Sequence, residues 1–238
     1  MRESIWNGFK RIDFEFENRE AILIFPDNAN KNKNWMIKTE YFGDFPKLEI
    51  DLFKRGWHLA FIKNITRWCL EDDRDLKKRF ADFLISNYGL IKKCVPIGMS
   101  CGGLIATKFT AKYPEYIQAL YLDAPVMNFL SCPLGLGKAD DSMMEEFTNA
   151  TGMNEIDLIN YREHPIDKKE ILLKNNISIV MVYGDVDKVV PYDENGEFLE
   201  KYYHENGGDI IVFKKENVGH HPHGLDDNTK IIEFIEKL

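Results

Sequence analysis

Gly98-Met99-Ser100-Cys101-Gly102-Gly103 follows the apolar run Cys94-Val95-Pro96-Ile97 and precedes the helix-like stretch Leu104 to Lys112. The order reads as strand, sharp turn and helix, with a serine at the apex. So tight a turn forces its apex residue into a strained backbone region, and side chains at Gly98 and Gly102 would collide with the turn or its neighbouring strand. The geometry exposes the Ser100 hydroxyl for attack. Taken alone, Ser100 would serve equally as the N-cap of an ordinary helix, so the reading needs partners further along the chain.

Both partners are present, and in a definite order. Ile177 to Tyr183 is a β-branched apolar run of the kind that forms a buried strand, and it leads into Gly184-Asp185-Val186-Asp187-Lys188-Val189-Val190-Pro191. Asp209 to Phe213 reads as the next strand, followed by the loop Val218-Gly219-His220-His221-Pro222-His223-Gly224. Serine, acid and histidine are the residue types of nucleophilic acyl transfer. A neutral imidazole takes the hydroxyl proton, and a carboxylate fixes the imidazole tautomer and stabilises the imidazolium that forms. On the residues alone the acid is Asp187, Asp185 or Asp123, which ends the strand Ala119 to Asp123. The base is His220 or His221, with His223 bracing the loop.

With these motifs in this order the chain resembles the α/β-hydrolase family. The resemblance runs from the strand Ala21 to Phe25 through the final helix. It rests on the Ser100 turn, the form Gly184-x-x-Asp187-x-x-Val190-Pro191, and Gly219-His220. It implies Asp187 as the acid, His220 as the base and the Cys101 N–H as one oxyanion donor. A second donor would come from the loop after the first buried strand, at Asn28, where the usual His-Gly pair is missing. The implied activity is hydrolysis of a small-molecule carboxylic ester, with no cofactor and no metal. The His220 to Gly224 string is also similar to a subgroup of poorly characterised bacterial hydrolases that place a basic residue after the nucleophile, where this chain has Cys101. Two other readings are a small serine peptidase of the oligopeptidase type and a non-catalytic ligand receptor on the same scaffold. The presence of all three residue types favours an enzyme.

Elsewhere, apolar runs alternate with helix-period stripes. Phe9 to Phe16 and Ala21 to Phe25 read as strands, Phe45, Leu48, Leu52 and Phe53 as a helix face, and Trp57 to Ile62 as a strand. Leu76, Phe80, Phe83 and Leu84 form another helical stripe, and Ile231, Ile232, Phe234 and Ile235 a terminal one. Such alternation predicts one α/β domain over residues 1–238: a mostly parallel sheet with helices on both faces and ligands at the carboxyl ends of the strands. From about 126 to 169 the alternation breaks. This stretch, with the acidic pair Asp140-Asp141 and Met143, Met144, Phe147 and Met153, reads as a short helical cap over the site or as an excursion with a small core of its own. Trp35, in the loop after the first buried strand, reads as a core plug or a wall of the acyl pocket, and His164 as a loop-packing residue.

Bulk properties remove other classes. Hydrophobic residues at 44% and charged ones at 29% are those of a folded chain. A net charge of -8 with no basic run argues against nucleic acid and against an anionic membrane surface. No stretch approaches the roughly 18 apolar residues of a membrane span, and the first residues lack the apolar core of a signal peptide, so the expected location is the cytoplasm. The four cysteines, Cys69, Cys94, Cys101 and Cys132, have neither knuckle spacing nor disulfide density. Cys101 at a helix start is the one whose thiol could be activated. A metal reading of His220, His221 and His223 with Asp226 or Asp227 matches no zinc signature. No motif specifies an oligomeric state.

Overall fold

The computed structural model describes residues 1–140 and 142–238, so the Asp141 half of the acidic pair lies outside the described residues. Its strands are β1 (Arg2–Trp6), β2 (Phe9–Phe16), β3 (Arg19–Phe25), β4 (Trp35–Lys38), β5 (His58–Ile62), β6 (Val95–Met99), β7 (Ala119–Asp123), β8 (Ser178–Gly184) and β9 (Ile210–Lys215). They form one sheet in the order β1-β2-β3-β5-β4-β6-β7-β8-β9. The first three strands are an antiparallel meander, and β3 joins β5 antiparallel. From β5 to β9 every pairing is parallel.

The helices are α1 (Lys47–Phe53), α2 (Glu71–Tyr88), α3 (Cys101–Lys112), α4 (Met144–Thr151), α5 (Glu155–Asn160), α6 (Lys169–Lys174), α7 (Gly196–Glu205) and α8 (Thr229–Glu236). Alternate residues of each central strand feed two cores, as a pleated sheet covered on both faces requires. Ile179 and Met181 of β8 join Leu76 and Phe80 of α2, Phe109 of α3 and Leu199 of α7 on one face. Val180 and Val182 join Leu48 and Leu52 of α1 and Ile231 and Ile235 of α8 on the other. Apolar runs without polar interruption, such as Ile177 to Val182, are the sequence trace of this double burial. Among the described residues no helix is long and apolar enough to cross a membrane.

Two strands escape sequence reading. β1 adds an edge to the meander, and β4 occupies the middle of the sheet between β5 and β6. β4 has only four residues and ends in Lys38, whose ammonium is buried against Glu49 at 2.6 Å. Trp35 therefore stands in a strand and not in a loop. It is fully buried, donates its indole N–H to the Ile91 carbonyl at 2.8 Å, and is a core plug.

In the stretch 126–169 the helices α4 and α5 replace the strand and helix alternation. Phe129, Phe147 and Leu158 form a small core with Trp68 and with Cys101, Leu104 and Ile105 of α3. The insertion is thus seated on the first turns of the helix that follows Ser100. His164 is buried within it and accepts the Phe129 N–H at Nδ1, a packing role.

Candidate active site

Ser100 stands between β6 and α3 with φ +52° and ψ −122°, a conformation that side chains avoid unless their surroundings enforce it. Three hydrogen bonds enforce it here. The Ser100 N–H donates to the Asp123 carbonyl at 3.0 Å, and the Ser100 carbonyl accepts from Gly103 at 2.9 Å and Val126 at 3.1 Å. Gly98 is needed for closure of the turn, since a Cβ there would stand 2.5 Å from the Gly102 carbonyl oxygen. The turn read from sequence is thus present at the carboxyl end of the central strand.

Asp187 and His220 arrive from the ends of β8 and β9, on the far side of β7 from Ser100. In the turn after β8, one Asp187 oxygen accepts the N–H groups of Val189 and Val190, both at 2.9 Å. The other lies 2.7 Å from His220 Nδ1. His220 Nε2 is 3.0 Å from Ser100 Oγ. The histidine loop approaches the acid because Gly184 has no side chain: a Cβ there would meet the Val218 carbonyl oxygen at 2.2 Å. A carboxylate on Nδ1 places the proton there and turns the Nε2 lone pair to the hydroxyl, the arrangement of a nucleophile with an oriented general base.

The other candidates are placed elsewhere. Asp185 is exposed and accepts the Asn217 N–H at 2.7 Å. Asp123 is fully buried at the end of β7 and binds His223 Nδ1 at 2.9 Å and the Gly224 N–H at 2.5 Å. His221 is exposed and stacks on Phe45, with ring centroids 5.6 Å apart and planes 13° off parallel. Phe45, with φ +46°, precedes α1 and so stands outside the apolar helix face in which the periodicity places it. The adjacent histidines could not be separated on chain order alone. What distinguishes them is which carboxylate each imidazole meets.

Cys101 is the first residue of α3, so its N–H has no acceptor within the helix and sits at the helix's positive end, next to Ser100. Its thiol is buried, and burial pushes the pKa up to about 11 although Arg67 nearby works in the opposite direction. Desolvation thus outweighs the positive helix end, and what Cys101 offers the site is its backbone N–H and not its sulfur. Asn28 is also corrected. Its carbonyl packs on Gly56, just before β5 begins. Because β5, β4 and β6 run parallel, that is the end of the sheet opposite Ser100. The loop that does stand beside the head of α3 follows β4, the strand hidden in the sequence. Thr39 Oγ1 in that loop donates to the Gly102 carbonyl at 2.7 Å, and Tyr41, with φ +54°, lines the cavity.

A cavity of about 310 Å³ opens above Ser100. Met99, Val189, Phe45 and the three histidines form part of its wall, and Met143 reaches it from the insertion. Arg67 and Asp44 bring opposite charges to it. Arg67 is held from outside by an ion pair with Glu146 of α4 and reaches the Tyr41 hydroxyl at 3.5 Å. Sequence reading missed Tyr41 and Arg67, for both lie in loops without any motif.

No protein-family model matches the chain, and no curated protein matches it by sequence. Solved structures do. A protein assigned as a dipeptidyl aminopeptidase IV from Bacteroides ovatus superposes with a TM-score of 0.71 at 14% identity, over 99% of this chain and 36% of that one. An acylaminoacyl peptidase in complex with Z-Gly-Gly-Phe-chloromethyl ketone gives 0.70 at 15% identity, over 89% and 38%. Pyrococcus horikoshii acylaminoacyl peptidase gives 0.70 at 13% identity, again over 89% and 38%. The chain spans little more than a third of the length of these structures. The likeness, at such identities, is one of architecture: the chain has the α/β-hydrolase fold.

Proposed function

We propose that the chain is a serine hydrolase that cleaves a carboxylic ester of a small molecule through an acyl-enzyme. The observation that supports this reading is the continuous relay from Asp187 Oδ2 through His220 to Ser100 Oγ, with separations of 2.7 and 3.0 Å. His220 accepts the hydroxyl proton as Ser100 attacks the carbonyl carbon, then returns it to the leaving alcohol. Water, deprotonated by the same imidazole, adds to the acyl carbon and releases the acid. The tetrahedral oxygen takes hydrogen bonds from the Cys101 N–H and from a backbone N–H of the loop after β4. Loss of one such donor costs about 3 kcal/mol of transition-state stabilisation. A cavity of about 310 Å³ lies at the small end of ligand sites and suits a short acyl group.

A peptidase of the oligopeptidase type is the second reading. Its support is that the solved structures of similar architecture include an aminopeptidase and acylaminoacyl peptidases, and that Arg67 and Asp44 offer charges a peptide's termini would meet. Turnover of p-nitrophenyl acetate and butyrate, set against aminoacyl p-nitroanilides, separates the two. Ester cleavage lost in Ser100→Ala supports the first reading. Anilide cleavage with no ester preference replaces it with the second, and no turnover of either by folded protein contradicts both.

A further inference from the structure

The histidine loop carries more imidazoles than a hydrolytic relay needs. His220, His221 and His223 each present a ring nitrogen, and the three nitrogens lie within 4.8 Å of one another. The ring centroids are 4.9, 5.0 and 4.9 Å apart, and the planes cross at 67°, 80° and 88°. The rings therefore cluster edge to face instead of stacking.

Two of them are already oriented. Asp187 engages His220 at Nδ1, and Asp123 engages His223 at Nδ1 from the fully buried end of β7. A carboxylate at Nδ1 fixes the proton there, raises the basicity of the ring and leaves the Nε2 lone pair outward. That is the outer-shell arrangement by which proteins aim imidazoles at a metal ion. His221 is the exposed member and stacks on Phe45, and its ring nitrogen already lies within 4.8 Å of the other two. Tetrahedral zinc with Zn–N distances of about 2.0–2.1 Å needs ligand nitrogens about 3.3 Å apart, a modest contraction from the present span.

We propose that His220, His221 and His223 form a site for a borderline divalent cation, best matched by Zn²⁺, whose occupation silences the serine. The first half stands on the ring geometry alone, and the second rests on the hydrolase reading above. Three neutral nitrogen donors with a fourth position open to water suit Zn²⁺ and disfavour Mg²⁺ and Ca²⁺, which require oxygen ligands. Asp187 and Asp123 stand directly behind two of the rings and supply negative charge there, while Asp44 and Arg67 on the cavity wall offset each other. Asp226 and Asp227 are not members of the cluster, and Asp227 is occupied with the Thr229 N–H at 2.9 Å. The consequence is mutual exclusion. The Nε2 lone pair of His220 can accept the Ser100 proton or bind the cation, but not both, so the cation acts as a reversible inhibitor of the same chain.

Calorimetric titration of untagged protein with ZnCl₂ alone tests the site without reference to activity, and Co²⁺ in its place reports tetrahedral ligation through its visible bands. Labelling of Ser100 by a fluorophosphonate, in chelator and in Zn²⁺, tests the coupling. The expected result is one cation per chain, labelling slowed and restored by chelator, and at least about tenfold weaker binding in both His221→Ala and His223→Gln. The site is overturned if folded wild type binds no cation, or if His221→Ala, whose exposed ring makes it the safer variant for folding, binds as well as wild type. Binding without slowed labelling overturns the coupling. Labelling that fails even in chelator overturns the hydrolase reading and leaves the calorimetric result standing.

Discussion

His223 Nδ1 lies 2.9 Å from Asp123 Oδ1, a second imidazole and carboxylate pair one strand away from the pair formed by His220 and Asp187. Asp123 also takes the Gly224 N–H. The fully buried end of β7 therefore anchors the loop that presents His220. Asp123 positions, whereas Asp187 touches the base itself.

Substitution separates the two acids. Asp187→Asn removes the charge that stabilises the imidazolium, and kcat is expected to fall by about 10⁴-fold. Asp123→Asn leaves the Ser100 relay complete but weakens the charged partner of a buried imidazole, costing about 1–3 kcal/mol of stability. Its kcat falls far less, and its urea midpoint moves more than that of an exposed control such as Asp185→Asn. Equal losses of kcat from Asp123→Asn and Asp187→Asn would contradict the division of roles.

Much of this was legible in the chain because the signals are local. The elbow needs glycine beside its serine, and the strands entering it and the acid turn are unbroken apolar runs that a doubly covered parallel sheet requires. The Ser, Asp and His order then follows from chain direction. β4 was not legible, because four residues ending in a lysine present neither alternation nor an apolar run, and the burial of Lys38 depends on an ion pair with Glu49 on the next helix. That one omission misplaced the oxyanion loop at Asn28. The choice between His220 and His221 was likewise tertiary, since adjacent residues on one loop differ only in what faces them.

Gly184→Ala tests whether close approach of the acid turn and the histidine loop sets the relay. The added methyl would sit 2.2 Å from the Val218 carbonyl oxygen and 2.4 Å from that of Gly219, so backbone must shift. We expect Tm to fall by about 4–8 °C and kcat to fall with it, since overpacking of this kind costs about 2 kcal/mol. Thermal unfolding and ester turnover measure both. Unchanged kcat in a folded variant would show that the approach is incidental.

Lys108 gives the fold a pH dependence of known sign. It lies on α3 with its ammonium 3.0 Å from the Tyr161 hydroxyl and 5.0 Å from the Phe129 ring centroid. Burial pulls its pKa down to about 8 from the usual lysine value of 10.5. Between those values the unfolded chain binds more protons than the folded one, so this residue makes stability rise with pH across that window. Lys108→Met removes the dependence. The stability of the variant relative to wild type is expected to drop by roughly 2–3 kcal/mol from pH 8 to 10.5, read from urea unfolding at each pH. Parallel profiles for the two proteins would contradict the account.

His220 activates Ser100 in the reading proposed above. The most direct test of that activation is the rate of adduct formation with diisopropyl fluorophosphate, followed by intact mass and peptide mapping in wild type, His220→Ala and His221→Ala. A single adduct on Ser100 is expected, formed far more slowly in His220→Ala than in His221→Ala. An adduct on another residue, no adduct on folded wild type, or the greater loss in His221→Ala would contradict it.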